Sequence, residues 1–364
     1  MSRVQSDPDF TFLVGATAPP GSPANIAWSA SREPGLSAGS LLRLARNHDV
    51  VLQCARACAG AEREFSASLM PSFAPLARQL TMRALRLAGE LTVLARRFAD
   101  AGIPAIVLKG AALSQEIFGN PAMRDPGDID LLIRDADLGA ADRLMTCAGY
   151  IRETGWDQDF ADGELMRPLR RIFHISYHDS SKDISVELHW RWFHIEEVMP
   201  FDPAMIWRGT RQMPIGDAMV TVLSPAVQLV YLSFHAAKHE CERLKWVGDL
   251  AWLLFRLEDA VIADAVVMAR RLGILDLFLA PFLAAARLGM ATLPPSLSMV
   301  ADRRPARRLA EIFLAGLAHP PPREHIGTLR QRLHWQRTYW RLAAHRRRPV
   351  RLALMRWWAR AHLG

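Results

Sequence analysis

Asp128-Ile129-Asp130-Leu131-Leu132-Ile133 (DIDLLI) reads as a β-strand with two unlike faces. Successive strand side chains point to opposite sides, so Asp128 and Asp130 share one face while Ile129, Leu131 and Ile133 share the other. Upstream, Pro104 to Leu108 (PAIVL) is a short buried strand broken by Lys109-Gly110, and Ala111 to Phe118 has helical character. The loop Gly119 to Gly127, with two prolines and Arg124, leads back into DIDLLI. Downstream, Arg171 to Tyr177 and Ile184 to Trp190 are further strand candidates. In the second, Ile184, Val186 and Leu188 face one way, and Ser185, Glu187 and His189 the other.

Two carboxylates on one strand face, joined by Glu187 from a neighbouring strand, repel one another unless divalent cations lie among them. Mg²⁺ prefers hard oxygen ligands and combines a few carboxylates with substrate phosphates. A pair of such ions stabilises both the attacking and the leaving oxygen of an in-line phosphoryl displacement. A lone DxD is a weak signal, because aspartates at exposed strand ends are commonly solvated or capping groups. The ordered set is stronger: strand, Lys-Gly turn, short helix, Arg-bearing loop, DxD strand, third acid on a strand.

That set, LKGAAL (Leu108–Leu113), R-x₃-DID (from Arg124) and VELHW (Val186–Trp190), followed by LSPAVQLVYLSFHAAKHECERLKWVGDL, resembles the uncharacterised nucleotidyltransferase family of the DNA polymerase beta-like superfamily. The resemblance covers about Ala101 to Leu254. It implies an α+β fold: a small mixed β-sheet core with flanking helices and a mostly helical C-terminal domain. It implies transfer of a nucleoside monophosphate from an NTP, ATP among them, to an acceptor hydroxyl on a small molecule, peptide or protein, with release of pyrophosphate. Two Mg²⁺ ions, with Mn²⁺ as a substitute, would be held by Asp128 and Asp130. Glu187 would complete the site of the ion that activates the acceptor, and would take the acceptor's proton. Gly110 would let the triphosphate approach the start of the following helix, where free N–H groups and the dipole favour anions. Ala111 has no hydroxyl, which leaves phosphate contact to those N–H groups and to Lys109.

Three residues carry a second reading each. Lys109 is a phosphate contact or a strand-end lysine. Arg124 reaches phosphate or holds its loop by an ion pair. Glu187 is catalytic or the polar face of an edge strand, with His189 only supporting it. Lys238 and His239 lie on a helix that would wall the cleft near the nucleotide. His235 and His239 stand at i and i+4, but HAAKH lacks the Glu of a zinc-protease HExxH. Asp249, amid apolar neighbours, needs a partner, with His235 a candidate. His174 and His178 share a strand face and have no evident catalytic context. No P-loop or GxGxxG motif is present.

The chain has 364 residues, half of them apolar, enough for two packed domains and against global disorder. Residues 1–37, rich in Ser, Pro, Gly and Ala, read as a mobile leader; 38–100 as an N-terminal helical region; 101–223 as the nucleotidyltransferase core; 224–318 as a helical domain beginning at Ser224-Pro225. Asp137 is the expected cap of a helix closed by Gly149, and Met213 to Leu223 an expected hairpin turning at Gly216-Asp217. Cys54, Cys58, Cys147 and Cys241 form no CxxC pair and read as reduced thiols of a cytoplasmic protein with no transmembrane segment.

The net charge of +8 belongs to residues 319–364, a basic Arg/Trp-rich tail. From Arg323 onward eleven Arg face one acid, Glu324, so the remaining 322 residues sum to −2. The tail has three readings: a docked or solvated helix, an anionic surface, or RNA. Two other function classes thus stand beside the enzyme, a non-catalytic nucleotide-sensing module of the same fold and an RNA-associated one.

Overall fold

The structure, a computed structural model, describes residues 7–30, 36–60, 64–153, 173–193, 199 and 202–318. The basic tail lies outside the described residues. The chain divides into two compact units, 78–224 and a second formed by 1–77 with 225–364. The division falls inside the helix Glu64–Asp100.

The first unit is built on strands β1 (Ala105–Val107), β2 (Ile129–Ile133), β3 (Ile151–Arg152), β4 (His174–Asp179), β5 (Ile184–His189), β6 (Thr210–Ile215) and β7 (Ala218–Leu223). They form one mixed sheet of order β3-β4-β5-β2-β1-β7-β6, larger than the small sheet expected. β2 runs parallel to β5, and β1 parallel to β7; the other neighbours are antiparallel. The α+β class is therefore as expected. Ile129, Leu131 and Ile133 of β2, with Val186 and Leu188 of β5, bury one face of the sheet in a core shared with Leu87, Leu91, Leu94 and Phe98 of the long helix. Burying a side chain of this size stabilises by roughly 1.5–3 kcal/mol, so this face alone fixes the register of both strands. A one-residue slip would bring the carboxylates into the core. Asp137 precedes the helix Leu138–Cys147 without a side-chain cap bond, in helical backbone, because the 3₁₀ turn Asp135–Asp137 already leads into that helix.

The second unit is helical throughout its described residues. Here the reading of residues 1–37 as a mobile leader needs correction. Pro8–Thr17 and Pro23–Ala30 are helices. Asp7 caps the first by accepting hydrogen bonds from the Asp9 and Phe10 N–H groups at 2.9 and 3.3 Å, with Pro8 at the first helical position. Phe10 and every residue from Phe12 to Thr17 is buried, and the Trp252 indole donates to the Thr17 carbonyl at 3.0 Å. A helix buried nearly all round lacks the apolar stripe by which periodicity is recognised. Gly15 is where the two helices touch: a Cβ there would stand 2.3 Å from Trp28 Cβ. The helical region 38–100 is likewise split. Its first helices, Ala38–Asn47 and Val51–Ala59, lie in this unit, while residues from Arg78 belong with the sheet. The four cysteines are free thiols, three of them buried. Among the described residues no helix is long and apolar enough to cross a membrane.

Candidate active site

The polar face of β2 and β5 is the counterpart of the buried core. Parallel pairing sets Asp130 beside Glu187 and Leu132 beside His189. Asp128, just before β2, projects to the same side. One oxygen from each of Asp128, Asp130 and Glu187 lies within 4.8 Å of the others. The alternation of two separate strands thus converges on one point once the strands pair.

Two cations hold this cluster together. The Lys109 ammonium lies 3.0 Å from Asp128 Oδ1 and also ion-pairs with Asp130 Oδ2, an oxygen that accepts no well-directed hydrogen bond. His189 Nε2 is 3.2 Å from Asp130 Oδ1 and 3.1 Å from Glu187 Oε2. Burial by itself would raise the Glu187 carboxyl, but the hydrogen bond and charge of His189, with the charge of Lys109, outweigh it against the opposing Asp128. Its pKa is held down at about 2. Burial would likewise push the His189 imidazole down, yet the bonds and charges of Asp130 and Glu187 win and raise it. His189 thus bridges two carboxylates that favour its protonated form, with only 5% of its surface exposed.

Lys109-Gly110 forms the turn between β1 and the helix Ala111–Phe118. Gly110 sits at φ 70°, ψ −131°, in a backbone region that residues with a Cβ rarely enter, and caps the helix without a side-chain bond. The first N–H groups of that helix consequently have no capping side chain to satisfy them, as an anion-binding helix start requires. Lys109, Gly110, Arg124, Asp128 and Asp130 line one narrow cleft whose apolar wall includes Leu87, Leu91 and Val107. Arg124 is 6% exposed, a buried cation at the cleft wall. The donor set, three carboxylates of which two already hold an ammonium, fits hard divalent cations.

A family model described as "Uncharacterised nucleotidyltransferase" matches residues 34–289, well over half of the chain. The chain belongs to the uncharacterised nucleotidyltransferase family. No curated protein matches it. Among solved structures it is similar to an antigenic nucleotidyltransferase-like protein from Paracoccidioides brasiliensis. That similarity has 15% identity and a TM-score of 0.34, covering 58% of this chain and 96% of that one.

Within this family member, five of the expected residues gather in the sheet unit around one cleft and its carboxylate face: Lys109, Gly110, Arg124, Asp128 and Asp130, with Glu187 alongside on β5. Lys238 ends the helix Pro225–Lys238 and His239 follows it, both in the helical unit. There the His239 ring stacks on Trp246 at 4.8 Å, and His235 stands edge-on to the same indole at 5.6 Å. Two residues go beyond the sequence reading. His189 touches two of the three carboxylates directly. His174, to which the sequence reading assigned no role, pairs across the strands with His189, and its Nε2 is 3.7 Å from Glu187 Oε1. Its signal was the tight turn after Asp179: pairing Asp179 with Ile184 obliges His174 to meet His189.

Proposed function

We propose that the protein transfers a nucleoside monophosphate from an NTP to an acceptor hydroxyl, releasing pyrophosphate, as polymerase beta-like nucleotidyltransferases do. The observation that carries this reading is the convergence of Asp128, Asp130 and Glu187 beside the Lys109-Gly110 turn. Asp128 and Asp130 would each contribute an oxygen to two divalent cations, Mg²⁺ or Mn²⁺, with Glu187 completing one of the two sites. Such ions supply Lewis-acid stabilisation of the charge that develops on attacking and leaving oxygens.

The chain's own residues do the rest. The N–H groups opening the helix Ala111–Phe118 receive the triphosphate oxygens, and Gly110 leaves room for that approach. Lys109, beside Asp128 and Asp130, would place its point charge on the phosphates once cations hold those carboxylates. The acceptor oxygen then bonds to the α-phosphorus while the bond to the bridging oxygen breaks, pyrophosphate leaves and the hydroxyl proton passes to water. Glu187, held ionised across the neutral range, is suited to act as an oxygen ligand; a carboxyl of pKa about 2 is a weak base. Arg124 lines the phosphate cleft. Lys238 and His239 remain nucleotide-contact candidates on their place in the family-like sequence alone. The acceptor's identity is open to a labelled-NTP screen over a metabolite pool.

The test is pyrophosphate release and label transfer from each NTP with Mg²⁺ or Mn²⁺, compared with an Asp128→Ala, Asp130→Ala variant. Turnover in the parent and its loss in the variant are expected. Equal label transfer in both would refute the assignment. Nucleotide binding without turnover in either would show a sensing module instead.

A further inference from the structure

The polar sheet face carries a second set of ligands that overlaps the carboxylate cluster at Glu187. His174 and His189 are direct cross-strand partners on β4 and β5, and Glu187 lies two residues before His189 on the same face. His174 Nε2 is 3.7 Å from Glu187 Oε1, and His189 Nε2 is 3.1 Å from Glu187 Oε2. The two imidazole centroids are 5.0 Å apart, and one ligand atom from each of the three residues lies within 4.8 Å of the others. Phe173 packs edge-on against His174 at 4.4 Å and tilted against His189 at 5.7 Å, so both rings are held by an apolar neighbour. The three side chains are fixed by strand register, and an ion that gathers them must displace any proton on His189 Nε2.

Two imidazoles and a carboxylate form a different donor set from the all-oxygen cluster beside them. Imidazole suits borderline transition ions, and a three-residue site of this composition leaves a fourth position open. We propose that His174, Glu187 and His189 form a site for a transition ion such as Zn²⁺, and that this ion excludes the hard divalent cation from Asp128, Asp130 and Glu187. The exclusion, which rests on the carboxylate reading above, follows from sharing. Both sites need Glu187, and an ion that takes His189 Nε2 also withdraws it from Asp130. The ion would thus be an inhibitor bound beside the nucleotide site.

Co²⁺ is the probe, because its visible absorption reports nitrogen ligation and coordination number. The full chain is titrated without nucleotide or Mg²⁺. A visible band saturating at one ion per chain and abolished by Zn²⁺ is expected. His174→Ala should weaken Co²⁺ binding by at least about tenfold, remove Zn²⁺ inhibition, and leave Mg²⁺-supported turnover unchanged. Asp128→Ala should keep the Co²⁺ band even though nucleotidyl transfer fails, which separates this site from the carboxylate reading. If His174→Ala binds Co²⁺ with parental affinity and spectrum, or Asp128→Ala loses the band, the site is wrong. Should His174→Ala not fold, as judged by circular dichroism, His174→Gln keeps the side-chain shape without the ligand nitrogen and should give the same loss.

Discussion

The sheet unit and the helical unit each bury a histidine, and the proton affinities of the two are shifted in opposite directions. His189 is flanked by Asp130 and Glu187, and its proton affinity is raised. His48 in the helical unit is fully buried; its Nδ1 accepts the Leu244 N–H at 3.2 Å, and its Nε2 has no hydrogen-bond partner among the described residues. Burial, helped by the Arg243 charge, drives its pKa down to about 3. Burial alone favours the neutral form of an imidazole, so the raised proton affinity of His189 comes from its carboxylate neighbours.

Removing a carboxylate should move His189 towards the behaviour of His48. Asp130→Asn keeps the shape and removes the charge. Pyrophosphate release should fall about 10³-fold, and the His189 ring, followed by NMR in metal-free protein, should titrate at lower pH than in the parent. An unchanged rate would break the link between the charged face and catalysis.

The contrast predicts an acid sensitivity that belongs to His48. Between its unfolded pKa of 6.5 and about 3 the unfolded chain binds a proton that the native state refuses, so stability falls as pH falls below about 6.5. The loss is up to about 1.4 kcal/mol per pH unit, or about 2 kcal/mol on going from pH 7 to pH 5. Denaturant midpoints across that range should show the slope, and His48→Phe should flatten it. A slope that survives in His48→Phe would place the acid sensitivity elsewhere.

Lys109→Met gives the smallest effect and sharpens the contrast from the other side. It leaves His189 as the principal cation of the cluster, so the ring should titrate higher still. Nucleotide KM should rise about tenfold, close to 1.4 kcal/mol of lost phosphate contact. An unaltered KM would leave Lys109 as a strand-end lysine that only neutralises aspartates.

Much of the sheet unit was legible because its strands alternate. DIDLLI, VELHW and the hairpin around Gly216 show which side chains share a face from spacing alone, and Asp128, Asp130 and Glu187 follow from that. The leader was misread because Pro8–Thr17 is buried nearly all round, so periodicity has no polar side to register. His174 was passed over because a lone histidine on a strand has no meaning until its cross-strand partner is known. Arg124 has two readings in the sequence, and its burial in the cleft wall depends on how the loop folds back.

Local chemistry thus sorted polar from apolar side chains within each strand, since a two-residue period needs no knowledge of distant contacts. Long-range pairing alone decided that β5 lies beside β2, that Glu187 meets Asp130, and that the proton affinity of His189 is raised while that of His48 is lowered. Charge states and ligand sets arise from groups dozens of residues apart in the chain, and their energies fall off within a few ångströms, so only the folded arrangement assigns them.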